Sequence, residues 1–239
     1  MKKHPIEYRS YYPDIEVCGL RKKDVIVDVG ANRGRFIECV LAWQPYAVIH
    51  AFEPLPDLYD FIREFFKYYN DLYCSNIALG SENGQKPFFV SKYNQVSSFL
   101  EQGDLLVNKL YGVDYSVQKS ISVEVQRLDD YCAERKIERL KLLKLDVQGY
   151  ELEVLKGAGR ALPNIEYIYL EAQFQKLYKN GPLFDEVFEY LNCNEFDLLR
   201  MTEFRTDDKG KLLECDMLFA NRHLVEARFQ GAERRAGAG

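Results

Sequence analysis

The 239-residue chain predicts an α/β fold in which a mostly parallel sheet, covered by helices on both faces, closes with an antiparallel hairpin. Three observations carry this. Between residues 25 and 171, short apolar runs alternate with stretches of helical spacing, the rhythm of a parallel sheet. The first run, Val25-Ile-Val-Asp-Val29, breaks into a turn at Gly30 and Gly34 before helical spacing resumes at Arg35, as a buried strand entering a helix does. Near the C terminus two runs, 196–204 and 212–221, flank the turn-forming Thr206-Asp-Asp-Lys-Gly210 and read as the hairpin.

In chain order, strand 25–29 leads to helix 35–43, and strand 48–52 to helix 57–69. Residues 72–78 form the third strand, 120–127 an added strand, 140–146 the fourth and 165–171 the fifth, followed by a helix over 183–191. In the second helix, aromatic residues from Tyr59 to Tyr69 recur at helical spacing, which assigns them to a core face. No internal repeat is present. The domain boundaries are an N-terminal extension over 1–23, one domain over 24–230, and a small, polar tail over 231–239 expected to be disordered.

The first turn selects among cofactors. Dinucleotide binding wants G-x-G-x-x-G so that a pyrophosphate can approach the helix, whereas Gly30 is followed by Ala31, Asn32 and Arg33. A phosphate loop needs Gly-Lys before Ser or Thr, and Gly34 precedes Arg35 and Phe36. An acidic strand end with a glycine turn suits a ligand with an amino-acid head and a ribose, which favours S-adenosylmethionine. A second apolar strand ends at Glu53-Pro54, 25 positions after Asp28. Rossmann-like folds place a ribose-binding acid about 20 residues past the glycine turn, and a carboxylate accepts two adjacent hydroxyls together. Capping of the helix near Pro56 is the alternative role for Glu53.

Open parallel sheets bind ligands beyond the C-terminal ends of their strands. Asp28, Glu53, Asn76, Asp146 and Glu171 each fall at or near such an end and are predicted on one rim. Asn76 with Ala78 suits an adenine edge, or Asn76 is an ordinary turn residue. Asp146 falls where a transferred methyl group would lie. Gly149 permits a tight exit from that strand, and Glu151 caps the helix after it.

Net charge is −5, so no positive field draws in nucleic acid. Lys2, Lys3 and His4 precede no apolar stretch; neither a signal peptide nor a membrane span is readable, and a cytoplasmic location is expected. Six scattered cysteines read as buried thiols. His4, His50 and His223 are too far apart for a local metal motif; no metal is expected, although a carboxylate-held Mg²⁺ stays open. A homodimer is one option for the oligomeric state.

The chain resembles the FkbM family of S-adenosylmethionine-dependent methyltransferases. The matching pieces are Asp28-Val-Gly-Ala-Asn-Arg-Gly34, Phe52-Glu-Pro54, Asn76-Ile-Ala-Leu79, Ser97-Ser-Phe-Leu100, Leu128-Asp-Asp130, Leu143-Lys-Leu-Asp-Val-Gln-Gly-Tyr-Glu151, Val154-Leu-Lys-Gly-Ala158 and Asp216-Met-Leu-Phe219, in family order. The resemblance implies a class I methyltransferase fold with a seven-stranded sheet, and O-methylation of a sugar, polysaccharide or natural-product hydroxyl. It assigns Asp28, Gly30, Asn32, Gly34, Glu53, Pro54, Asn76, Ala78, Ser98 and Asp146 to the cofactor. Ser97 and Ser98 face the cofactor carboxylate or the acceptor, or are solvated loop serines. The chain departs from the family at Gln148, where an acid is usual, and at Tyr150; an amide keeps hydrogen bonding but loses charge and basicity.

Methyl transfer to a hydroxyl needs alignment and a base. His50 lies inside its strand, so the catalytic candidates are Asp146 as base and Glu171 holding the acceptor; both also suit helix caps. Segments 101–119 and 172–182 carry Tyr111, Tyr115, Phe174 and Tyr178 beside Lys109, Lys119, Lys176 and Lys179, either a lid over a small-molecule or glycan acceptor or loop packing. Two other functions stay in view: a nicotinamide-dependent oxidoreductase or epimerase, disfavoured by the glycine spacing, and a cofactor-binding protein without turnover, suggested by Gln148.

Overall fold

In a computed structural model that describes residues 12–107 and 110–225, the elements run α1 (Ile15–Cys18), β1 (Val25–Val29), α2 (Arg35–Trp43), β2 (Val48–Phe52), α3 (Pro56–Phe65), β3 (Leu72–Ser75), β4 (Ala78–Leu79), β5 (Gly84–Ser91), α4 (Asp104–Val107), β6 (Val117–Gln126), α5 (Leu128–Arg135), β7 (Leu140–Leu145), α6 (Glu151–Lys156), β8 (Ile165–Gln173), α7 (Phe184–Cys193), β9 (Phe196–Thr206) and β10 (Leu212–Asn221). The expected tail 231–239 lies outside the described residues.

Seven strands form the main sheet in the order β3-β2-β1-β7-β8-β10-β9. The first five in that order are parallel to one another, and β10 runs antiparallel to both β8 and β9. This is the mostly parallel, hairpin-closed sheet expected from the sequence. Side chains of a strand alternate between faces, so the sheet feeds two cores. Val27, Val29, Leu143 and Leu145 pack against Leu128 of α5, Val154 and Leu155 of α6, and Val187 and Leu191 of α7. Ile26, Ile49 and Leu142 pack against Phe36, Ile37 and Val40 of α2 and Ile62 of α3 on the opposite face. Covered on both sides, β7 is buried at every position, which explains its near-continuous apolar sequence.

Three local expectations need correction. The run 72–78 is two short strands, because the Asn76 side chain replaces ladder pairing with bonds to the Glu53 and Pro54 carbonyls. The added strand belongs to a separate three-stranded sheet of order β4-β6-β5, whose partner β5 contains Pro87 and has little apolar alternation. Of the aromatic residues from Tyr59 to Tyr69, Phe66 at the end of α3 joins the core beside Leu58 and Ile62, while Phe61 and Phe65 are 38% and 55% exposed. The two rings stack on each other, centroids 5.6 Å apart.

His50 is inside β2, as expected. Its Nδ1 lies 2.9 Å from the Tyr131 hydroxyl and its ring stacks on Tyr73. Burial pushes its pKa down to about 4 from 6.5. The unfolded chain therefore binds a proton there that the folded chain refuses, so stability is lost as pH falls from 6.5 toward 4. Urea unfolding is expected to show a shallower loss over that window in His50→Phe than in the wild type; parallel curves would remove His50 as the cause.

Candidate active site

A cavity of about 730 Å³ opens beyond the C-terminal ends of β1, β2 and β7. It sits where the strand order reverses, since β2 and β3 extend from one side of β1 and β7 and β8 from the other. Of the residues expected there, Gly30, Asn32, Glu53, Pro54, Ala78, Asp146 and Glu171 line it. Asp28, Gly34, Asn76 and Ser98 support its walls from behind.

Asp28 is fully buried. Its Oδ1 lies 3.0 Å from Lys144 Nζ, and the same ammonium donates to the Gly30 carbonyl at 3.0 Å and lies 3.6 Å from Asp146 Oδ2. Burial works against the Lys144 charge, but Asp28 and Asp146 outweigh it and push its pKa upward. Gly30 needs both its positive φ of 76° and its missing side chain: a Cβ there would sit 2.0 Å from the Asp146 carbonyl oxygen. Gly34, at φ 73°, starts α2 with its Cα facing the Phe66 ring. The glycine turn is thus fixed by packing against β7 as much as by its own sequence.

Glu53 takes up the second of its two expected roles, holding the start of α3. It lines the cavity, and its oxygens accept the Asn32 N–H at 2.7 Å and the Leu55 N–H at 2.9 Å; Leu55 is the N-cap residue of α3. Burial pushes its carboxyl up to about 7, against those two bonds. Asn76 donates to the carbonyls of Glu53 and Pro54 at 2.9 and 3.1 Å, so it shapes the segment that carries the acid. Leu55, Ala78, Leu79, Phe88 and Phe99 supply apolar wall nearby.

At the other end, Asp146 is 40% exposed and faces the cavity. Gln148 Nε2 donates to Asp146 Oδ1 at 2.9 Å and to Glu171 Oε2 at 3.1 Å. Glu171 lies 2.9 Å from Arg205 Nη1, and Arg205 also reaches toward Asp216 and Glu214 at 3.5 and 3.7 Å. Burial, then the charge of Glu214, pushes the Glu171 carboxyl well above its usual range. Ser98 donates to the Gln148 carbonyl at 2.7 Å, and Ser97, whose oxygen accepts the Ser91 N–H, is the serine that lines the cavity. Glu151 accepts from the N–H groups of Val147 and Gly149 in the preceding loop instead of capping the helix it begins, and burial raises its carboxyl to about 7.

The two aromatic-basic segments pack on each other instead of covering the cavity. Tyr178 is 1% exposed, among Leu106 and Leu177; Phe174 stacks on Phe184; Lys176 donates to the Gly181 carbonyl and Lys179 pairs with Glu101. Lys109 lies outside the described residues. Tyr115, Phe174 and Tyr178 find partners within the packed segments and do not line the cavity. Phe61, Phe65 and Arg33 of the opposite wall line it instead.

Lys144, Arg205 and Glu214 were missed as site residues by sequence reasoning, which noted Gln148 only as a departure from the family and Tyr178 only as a lid candidate. One signal was available for Lys144: a lysine in a strand buried on both faces needs a buried partner, and Lys141 of the same strand pairs with Glu166 in that way. Arg205 and Glu214 arrive on the hairpin strands β9 and β10 with no local signature.

The sheet order, the antiparallel β10, and a cavity at the switch point lined by acids at the ends of β2, β7 and β8 are those of a class I methyltransferase. A family model for the methyltransferase FkbM domain matches residues 28–198, and the chain belongs to that family. Among curated relatives, it is similar to the 2-O-methyltransferase NoeI of Sinorhizobium fredii, 32% identical over 67% of this chain and 68% of the relative. Another is the hexuronic acid methyltransferase AglP of Haloferax volcanii, at 28%, with 62% and 55% covered. A third is the 31-O-demethyl-FK506 methyltransferase FkbM of Streptomyces tacrolimicus, at 28%, with 64% and 66% covered. Among solved structures, a fibrillarin/Nop5p complex matches with a TM-score of 0.52 over 92% of this chain and 84% of the other, at 12% identity; that likeness concerns the fold alone.

Removing one partner of a buried ion pair strands the other. Lys144→Met is expected to cost about 3–5 kcal/mol of unfolding free energy, measured by denaturant titration. The double variant Asp28→Leu/Lys144→Met should recover much of it, and equal losses in both would show that the pair is not the determinant.

Proposed function

We propose that this protein transfers a methyl group from S-adenosylmethionine to a hydroxyl of a sugar, polysaccharide or natural product. The observation that carries the reading is the placement of Asp146 and Glu171 in the cavity that also exposes Glu53. The names of the three relatives support that class of acceptor. A cytoplasmic enzyme acting on a small-molecule or glycan acceptor accords with the absence, among the described residues, of any helix long and apolar enough to cross a membrane.

The residues suit the cofactor. A carboxylate offers about four lone-pair sites, and two of those on Glu53 are taken by Asn32 and Leu55; the remaining two suit adjacent ribose hydroxyls. Leu55, Ala78, Phe88 and Phe99 offer apolar surface for a purine. When bound, S-adenosylmethionine supplies a methyl group already activated by its sulfonium. The chain's own task is then to align the acceptor and remove its proton. Asp146 takes the proton of the acceptor hydroxyl, its carboxylate held by Gln148 and flanked by Lys144. Glu171, anchored by Arg205 and keeping its own proton more readily than an ordinary carboxyl, holds a neighbouring acceptor oxygen.

The direct test incubates the purified protein with methyl-labelled S-adenosylmethionine and a cell extract, and seeks by mass a compound heavier by one methylene. An upshift in melting temperature with S-adenosylhomocysteine is expected beside it; no labelled product together with an upshift from NADH would overturn the proposal. Asp146→Asn is expected to lower turnover about 10²–10⁴-fold with S-adenosylhomocysteine affinity retained, and full turnover would remove Asp146 as the base.

Glu53 makes cofactor binding pH-dependent. Below about pH 7 the free protein carries a proton on Glu53, whereas acceptance of two ribose hydroxyls favours the anion. Binding therefore releases a proton, and affinity rises as pH increases through 7. Calorimetry with S-adenosylhomocysteine in buffers of different ionisation enthalpy should show this release in the wild type. Glu53→Gln should abolish it and weaken binding by roughly tenfold or more.

A further inference from the structure

One side chain ties the two candidate carboxylates together. The two N–H bonds of the Gln148 amide point one at Asp146 Oδ1, 2.9 Å away, and one at Glu171 Oε2, 3.1 Å away. Its oxygen accepts from the Tyr178 hydroxyl at 2.8 Å. The reverse orientation would aim the amide oxygen at two carboxylates, so the three contacts select one setting. Tyr178 is itself held in the packed segment, with Leu106 and Leu177 around it and the Val96 carbonyl 3.2 Å from its hydroxyl. The backbone is committed as well: Gln148 has a φ of 58°, sparsely populated for a residue with a side chain, and Ser98 holds its carbonyl. A strained backbone, a buried tyrosine and a serine all serve to set this amide. Nothing in the proposed reaction requires them unless the amide's position matters.

We infer that Gln148, oriented by Tyr178, is a positioning residue that joins Asp146 and Glu171 into one hydrogen-bonded unit facing the acceptor. Its catalytic consequence rests on the proposed methyl transfer; the bridge itself does not. A glutamate of the same length would present a carboxylate and no N–H, removing both donated bonds and adding a repulsion against Asp146. The other charged or titratable groups facing this unit are Tyr12 from the segment before α1, Asp28 from β1, Lys144 from β7, Arg205 from β9, Glu214 and Asp216 from β10, Glu151 from α6 and Tyr178. Gln148→Glu and Gln148→Leu leave all of these in place, so their effects report the amide alone.

The test compares the wild type, Gln148→Glu, Gln148→Leu and Tyr178→Phe. Carbon NMR of the labelled carboxyl groups follows the acid unit across pH, assigned with Asp146→Asn and Glu171→Gln. Gln148→Glu is expected to move the titration of the unit to higher pH than in the wild type, and to reduce kcat on the order of 10²-fold at neutral pH with partial recovery as pH is lowered. Gln148→Leu should lose kcat without that recovery, and Tyr178→Phe should show a smaller loss in kcat than either. S-adenosylhomocysteine affinity is expected to stay near wild type throughout. A titration unchanged in Gln148→Glu overturns the bridge, as does a wild-type pH profile in both Gln148 variants. If the wild type methylates nothing, the transfer reading fails on its own, and the bridge is judged by the carboxyl titration, which needs no acceptor.

Discussion

The buried ammonium of Lys144 holds this structure's site together. It binds Asp28 on the neighbouring strand, the carbonyl of the glycine turn, and the flank of Asp146. An unpaired ammonium or carboxylate in such a place would cost several kcal/mol, so neither β1 nor β7 can slide without the other. The glycine turn and the Asp146 strand end, which line the same cavity, are therefore set by one charge. Asp28 acts from beneath the cavity, as the counter-ion that lets the lysine be there.

A second device shapes loops in three places, two beside the cavity and one, at Asp129, away from it. Buried carboxylates accept backbone N–H groups of loops: Glu53 takes those of Asn32 and Leu55, Glu151 those of Val147 and Gly149, and Asp129 those of Arg160 and Ala161. Each shapes a connection where no ladder could. For Glu53 and Glu151, burial outweighs those bonds and leaves a carboxyl that titrates near neutrality. Glu53 also lines the cavity. Glu151 has its bonds within the loop and serves shape alone.

Much of the fold was legible because it follows from periodicity. The apolar runs at 25–29, 48–52, 140–145 and 165–171 are strands for the reason that a strand covered on both faces must be apolar throughout. The acids that end them are gathered on one rim by parallel topology alone. Where the reading went astray, a long-range contact had overruled a local pattern. The helix period of Phe61 and Phe65 is real, yet the buried stripe of α3 is taken by Leu58 and Ile62, which leaves those rings at the cavity mouth. The aromatic segment around Tyr178 has the composition of a lid, but its rings find partners in Leu106, Leu177 and Phe184 and go inward.

The sequence by itself determined the strand and helix order, the glycine turn, and the acids at strand ends, since each depends on residues near one another in the chain. The tertiary structure alone decided which of those acids reach the cavity, that Asp28 answers to Lys144, that Gln148 spans Asp146 and Glu171, and that Arg205 and Glu214 join them from the hairpin. Apart from the reach of Gln148 to Asp146, these contacts join residues on different elements, distant in the chain. Charge and hydrogen bonding choose such partners by distance in space, which no local pattern encodes.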